Sequence, residues 1–126
     1  MRNDPGDDGL SLQVVVFSAG GCRFAIEAGE VAAMRCRSGV EECPDIETLL
    51  GLPRDGNVSR RLLEFRNNGV VAAIPGDAAL SHLPARTIHA LPPLLAARIA
   101  VCGAAALALD ADGPVLIVDP RQFPCA

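Results

Sequence analysis

Two stretches of this chain repeat one pattern. Phe17 to Ile26 reads FSAGGCRFAI and Phe65 to Ile74 reads FRNNGVVAAI, so that Phe17, Gly21 and Ile26 align with Phe65, Gly69 and Ile74. A looser third version, LALDADGPVLIVD, turns at Gly113. In each, apolar runs flank a glycine, the residue that enters the positive-φ conformations of tight hairpin turns at least cost. A chain built from recurrent hairpins is committed to antiparallel sheet, which leaves little room for a helical or alternating α/β architecture.

The remaining segments fit that commitment. LQVVVF, Leu12 to Phe17, is a β-rich run that leads into the first turn, and CRFAIEA returns from it. In EVAAMRCR, Val31, Ala33 and Arg35 alternate with Ala32, Met34 and Cys36, which predicts a third strand; an opening helical turn is the alternative. DIETLLGLP predicts a helix. Asp45 is placed to cap it, Ile46, Leu49 and Leu50 share one face, Gly51 stops it and Pro53 prevents continuation. Two turns cannot stand alone in water, so the helix must dock on strands. RRLLEF and VVAAIP form the second hairpin around Asn67-Asn68-Gly69. Pro84, Pro92 and Pro93 break any long helix in the next segment and favour extended edges. PRQF closes the chain with a short turn or helix. The expectation is an all-β protein of eight or nine short strands with one or two short helices, arranged as a barrel or a pair of barrels. Residues 1–10, rich in Asp, Asn, Pro and Gly, read as a disordered leader, and 11–126 as a single domain.

Composition removes several classes of function. With four Phe and neither Trp nor Tyr, the core must be mainly aliphatic. The net charge of −4 and the scarcity of rings argue against nucleic acid, which takes clustered cations and stacking surfaces. All eleven basic residues are Arg; the pairs Arg35/Arg37 and Arg60/Arg61 lie near acids and read as solvated surface. The run from Leu91 to Leu109 is broken by two prolines, Arg98 and Gly103, and falls short of the roughly twenty apolar residues of a spanning helix. It reads as buried strand or core, without membrane insertion. The N-terminal MRNDPGDDG lacks a basic-then-apolar signal pattern, and the five cysteines form no CxxC and no Cys/His cluster. That usage suits a reducing, cytoplasmic setting with the thiols as small buried hydrophobes.

Catalytic groups do not assemble in the sequence. Pro84 separates His82 from His89, and neither has an Asp or Cys placed to orient it. Cys22 follows a turn beside Arg23, as a reactive thiol would, yet its alternation with Phe24 and Ile26 predicts a small core residue. Counted from Asp110 as a calcium loop, the sixth position is Val115 in place of glycine and the twelfth Arg121 in place of glutamate, so DADG is a hairpin turn. No phosphate loop or dinucleotide fingerprint occurs. The reading is a chain without catalytic, cofactor or metal residues.

The order of these signals resembles the CheW family of chemotaxis coupling proteins. VVVFSAGGCRFAI followed by EAGEVAAM is similar to that family's opening strands, and DIETLLGLP to its aspartate-and-leucine helix. NNGVVAAIPGDAALSHLPARTIHALPPLL resembles its second half, and AALALDADGPVLIVDPRQF its closing hairpin and terminal helix. The likeness spans most of Leu12–Phe123 and rests on order and spacing. It implies a pair of small β-barrel subdomains, which would also account for the repeated hairpin. The family carries a longer segment before the helix, with a strand pair around an Asn-Leu-Arg-Gly pattern. Here only CRSGVEECP, Cys36 to Pro44, fills the space, so the first subdomain is expected to be truncated.

The resemblance implies a non-enzymatic adaptor that bridges the regulatory domain of a chemotaxis-type histidine kinase and the cytoplasmic tip of a chemoreceptor. The shortened segment falls where receptor contact is typically made. Val31, Met34 and Arg37 lie next to it and are the candidate partner-binding residues, with core packing the alternative for Val31 and Met34. A barrel that loses strands exposes an edge, which Glu41 and Glu42 or a second copy of the chain would cover. Two other readings stand beside the adaptor. One is a CheW-like regulator or homodimer that has lost receptor coupling, the other a small thiol-dependent enzyme or ligand-binding barrel.

Overall fold

The computed structural model describes residues 10–36, 43–56, 59–66, 69–92 and 103–123. Nine strands and one short α-helix lie within them: β1 (Ser11–Ala19), β2 (Cys22–Glu27), β3 (Val31–Cys36), α1 (Ile46–Leu50), β4 (Arg60–Phe65), β5 (Val71–Pro75), β6 (Ala78–Pro84), β7 (Ile88–Ala90), β8 (Ala104–Asp110) and β9 (Gly113–Val118). The protein is all-β, as its hairpin pattern requires. Arg37, Asn67, Asn68, Cys102, Cys125 and most of the leader lie outside the described residues.

The strands divide into a sheet of six, ordered β6-β1-β2-β9-β8-β7, and a sheet of three, β3-β4-β5. The two related hairpins therefore found one sheet each: β1–β2 belongs to the larger and β4–β5 to the smaller. The third, β8–β9, joins the larger sheet through a parallel contact of β9 with β2, Phe24 opposite Leu116. The turn between Ala19 and Cys22 has two central glycines, Gly20 at φ +58° and Gly21 at φ +80°, the left-handed geometry that matches the twist of the flanking strands.

Connectivity curls the larger sheet. Its edge strands, β6 and β7, are consecutive in the chain and joined only by the 3-10 turn Ala85–Thr87. That linker spans at most about 15 Å, whereas the edges of a flat six-stranded sheet would lie about 24 Å apart. Its inner face encloses Val14, Ala25, Leu83, Ala108, Val115 and Ile117. The other face of β1 and β2 supplies Val15, Phe17, Phe24 and Ile26 to a second core, shared with Leu63, Phe65, Ala72 and Ile74 of the smaller sheet and Ile46, Leu49 and Leu50 of α1. Because β1 buries residues on both faces, its sequence is a continuous apolar run and lacks polar alternation.

All four phenylalanines meet in this shared core. Phe17 and Phe24 stack at 5.7 Å between centroids, and Phe65 meets Phe123 edge-on at 5.7 Å. Aromatic surface is scarce in the chain and is concentrated where the two sheets join.

Helix α1 ends as its sequence predicts. Gly51 adopts the left-handed conformation, Gly51 N–H donates to Thr48 O, and Leu52 N–H donates to Glu47 O at 2.7 Å. Its start differs: Asp45 makes no side-chain cap. The carboxylate turns to two arginines, where charge-assisted bonds outcompete a neutral backbone donor. The backbone at Asp45 instead bridges to Ala73 of β5, which holds the helix on the smaller sheet.

Candidate functional site

A groove of about 510 Å³ opens where the tips of the β1–β2 and β8–β9 hairpins meet the loop after α1. Phe24, Leu107, Leu116 and Pro114 line it from the larger sheet, and Leu52 forms the opposing wall. Cys22, Arg23 and Asp112 stand among its lining as the polar groups. The size and apolar lining fit the usual anatomy of a binding site, and the opposite charges of Arg23 and Asp112 give it a polarity.

The Leu52 wall is held by a buried network. Glu47, fully buried on α1, receives two parallel bonds from Arg60 of β4, Nη1 to Oε1 and Nη2 to Oε2, both 2.8 Å. Glu47 Oε2 also accepts from Asp55 N–H at 2.8 Å, and Arg60 Nη2 donates to Asp55 O at 3.2 Å. Asp45 lies 3.4 Å from Arg60 and accepts from Arg54 Nε at 2.6 Å. Gly20 N–H donates to Asp55 Oδ2 at 3.1 Å, which ties the loop to the β1–β2 turn. Leu52 is thereby pressed onto Gly20, where an added Cβ would meet its Cδ1 at 3.2 Å.

Burial alone would raise the Glu47 pKa. The Arg60 guanidinium and the Asp55 amide outweigh it and bring the carboxyl down to about 2. Its hydrogen bonds in turn raise Arg60 above the ordinary arginine value despite burial. The network therefore holds a fixed ion pair at neutrality.

Several sequence expectations change here. Arg60 is buried, not a solvated surface residue. Nothing around RRLLEF signals this, because the partner is thirteen residues upstream on α1 and only the fold joins them. Cys22 is exposed, although Phe24 and Ile26 on the same alternation are buried. It is the first residue after the turn and lines the open groove, although Ala19 opposite it is buried. Cys36 is exposed and Cys43 half-buried, so these three thiols are not buried hydrophobes. Val31 is half-buried against the shared core, and Met34 is 44% exposed on the same strand. Both lie on β3, away from the groove lining; Arg37 falls outside the described residues.

No family model matches the chain, and no curated protein matches it in sequence. Among solved structures it is similar to the scaffolding protein TtCheW from Thermoanaerobacter tengcongensis, with a TM-score of 0.63 at 13% identity, over 86% of this chain and 89% of that one. At that identity the likeness is one of architecture, and the chain has a CheW-like β fold.

Proposed function

We propose that residues 11–126 act as one domain, a non-enzymatic signalling adaptor of the chemotaxis type that works in the cytoplasm by protein–protein contact. The observation that carries this reading is the likeness of nearly the whole chain to a solved scaffolding protein. The apolar groove supports it. Partner side chains entering between Leu52 and the Leu107/Leu116 wall would lose apolar surface at about 25 cal/mol per Å². Arg23 and Asp112, of opposite sign, would fix the partner's direction. The partners are a histidine kinase regulatory domain and the cytoplasmic tip of a chemoreceptor, held together by one scaffold. The buried network contributes by holding Leu52 rigid before binding, which lowers the ordering cost of association.

Calorimetric titration with the two partners, separately and together, tests the reading. Saturable, simultaneous binding of both supports the bridge, and Leu107→Glu weakens it at least tenfold. Binding of the kinase domain alone replaces the bridge with a regulator that occupies one scaffold position. Binding of neither overturns the adaptor reading.

A further inference from the structure

The groove offers a partner more negative charge than positive. Arg23 already has an interaction within the chain, whereas Asp112 is exposed and makes no ion pair among the described residues. Behind the Leu52 wall, three carboxylates, Asp45, Glu47 and Asp55, stand against two guanidinium groups, Arg54 and Arg60. Asp45 and Glu47 take both arginines at the shortest distances, so the excess charge falls to Asp55. The Asp55 carboxylate accepts from Gly20 N–H, a neutral donor, and Gly20 directly precedes the lining residues Gly21 and Cys22. One carboxylate therefore stands at the β8–β9 tip and another where the β1–β2 tip meets the loop, with the apolar lining between them. Apolar walls concentrate such a field, because they exclude the water that would screen it.

We propose that the groove takes a partner segment in which a lysine or arginine adjoins a large apolar residue. The apolar side chain enters between Leu52 and the Leu107/Leu116 wall, and its cationic neighbour reaches Asp112 at the rim. Charge complementarity selects this occupant. An acidic segment meets like charge at both hairpin tips, and a second copy of a chain with net charge −4 approaches against repulsion. The inference rests on the reading of the groove as a partner site and adds the chemistry of what enters it.

The test is an NMR titration of the full chain with three acetylated, amidated tripeptides, Leu-Arg-Leu, Leu-Gln-Leu and Leu-Glu-Leu. The amides of Gly21, Leu52 and Leu116 report the groove. Affinity should fall about threefold from the arginine to the glutamine peptide and about threefold again to the glutamate peptide, the scale of an exposed charge pair. High ionic strength should compress the series. Asp112→Asn should shrink both steps, and Asp112→Arg should bring the glutamate peptide to the front; an otherwise unchanged amide spectrum shows that each variant folds. Equal binding of all three peptides at those amides, or an order that Asp112→Arg leaves in place, overturns the inference while the groove stands as a partner site. Shifts that follow protein concentration without peptide would seat a second copy in the groove and overturn it as well. Peptides that leave those amides unmoved overturn the inference together with the groove reading.

Discussion

The larger sheet brings its edges together because β6 and β7 are neighbours in the chain, whereas the smaller leaves β3 at a margin with exposed residues along it. The larger sheet also has an apolar interior of its own, built from Val14, Ala25, Leu83, Ala108, Val115 and Ile117. The smaller has no such enclosed interior among the described residues. It borrows the shared core on one side and relies on the Glu47–Arg60 pair to hold α1 and the following loop. Ile46, Leu49 and Leu50 pack α1 into the shared core, and the two parallel bonds of the ion pair add a directional constraint that apolar packing lacks.

The sharpest way to break this contrast is to cut the network. Glu47→Ala removes both short bonds to the buried Arg60 guanidinium and leaves it only the longer Asp45 contact, which costs about 3 kcal/mol. In urea unfolding the midpoint should fall accordingly. Hydrogen exchange should localise the loss to α1 and β3–β5, with β1, β2, β8 and β9 still protected. Replacing both members, Glu47→Leu with Arg60→Met, should recover most of the stability, because no charge is then left unpaired. Equal loss of protection in both sheets would show that they unfold as one unit.

Acid offers a second separation. The Glu47 carboxyl is lower in the folded chain than in an unfolded one, so its stabilisation is complete above about pH 4.5 and is lost as pH falls toward 2. The loss amounts to about 3 kcal/mol. Urea titrations at pH 6 and pH 2.5 should show it, and Glu47→Gln should flatten the difference. Asp119, also lowered, by the Arg121 guanidinium, contributes in the same direction. A wild-type pH dependence unchanged in Glu47→Gln would mean that other carboxylates govern acid unfolding.

These two regions were not equally legible in the sequence. Hairpins, strand order within them and the Gly51 stop follow from local chemistry, since a two-glycine turn and a left-handed cap have few alternatives. The assignment of hairpins to sheets does not, because β2 meets β9 and β1 meets β6 across most of the chain. The groove was illegible for the same reason. Leu52, Phe24 and Leu107 carry no pattern in common until the fold brings them together. Period-2 alternation correctly put Phe24 and Ile26 inside but could not show that a groove opens beside Cys22 on the same face, so it misplaced that residue. The Arg60–Glu47 pair was missed because a charged residue carries no sequence signature of burial.

The hairpin tip where the two regions touch gives a smaller effect with an internal control. Gly20 and Gly21 both have positive φ, so alanine at either costs about 1 kcal/mol in backbone strain. Only Gly20 faces Leu52; an added Cβ at Gly21 meets nothing within 4 Å. Gly20→Ala must therefore also displace Leu52, and should cost about 1 kcal/mol more than Gly21→Ala. It should further shift groove binding, which Gly21→Ala leaves nearly unchanged. Equal costs would mean that the loop yields freely and that the network does not hold the groove wall.

The least consequence is expected at the outer end of the network. Arg54 meets Asp45 at 2.6 Å, but its side chain is 53% exposed, so water and salt screen the pair. Arg54→Ala should change stability by no more than about 0.5 kcal/mol, and less at high ionic strength. Asp45 keeps Arg60 as a partner when Arg54 is removed, so no buried charge is abandoned. The contrast with Glu47→Ala isolates burial as the variable, since both substitutions remove a well-placed carboxylate–guanidinium contact. If Arg54→Ala destabilised the fold as strongly as Glu47→Ala, the network would act as a cooperative whole, and the smaller sheet would depend on all of its charges together.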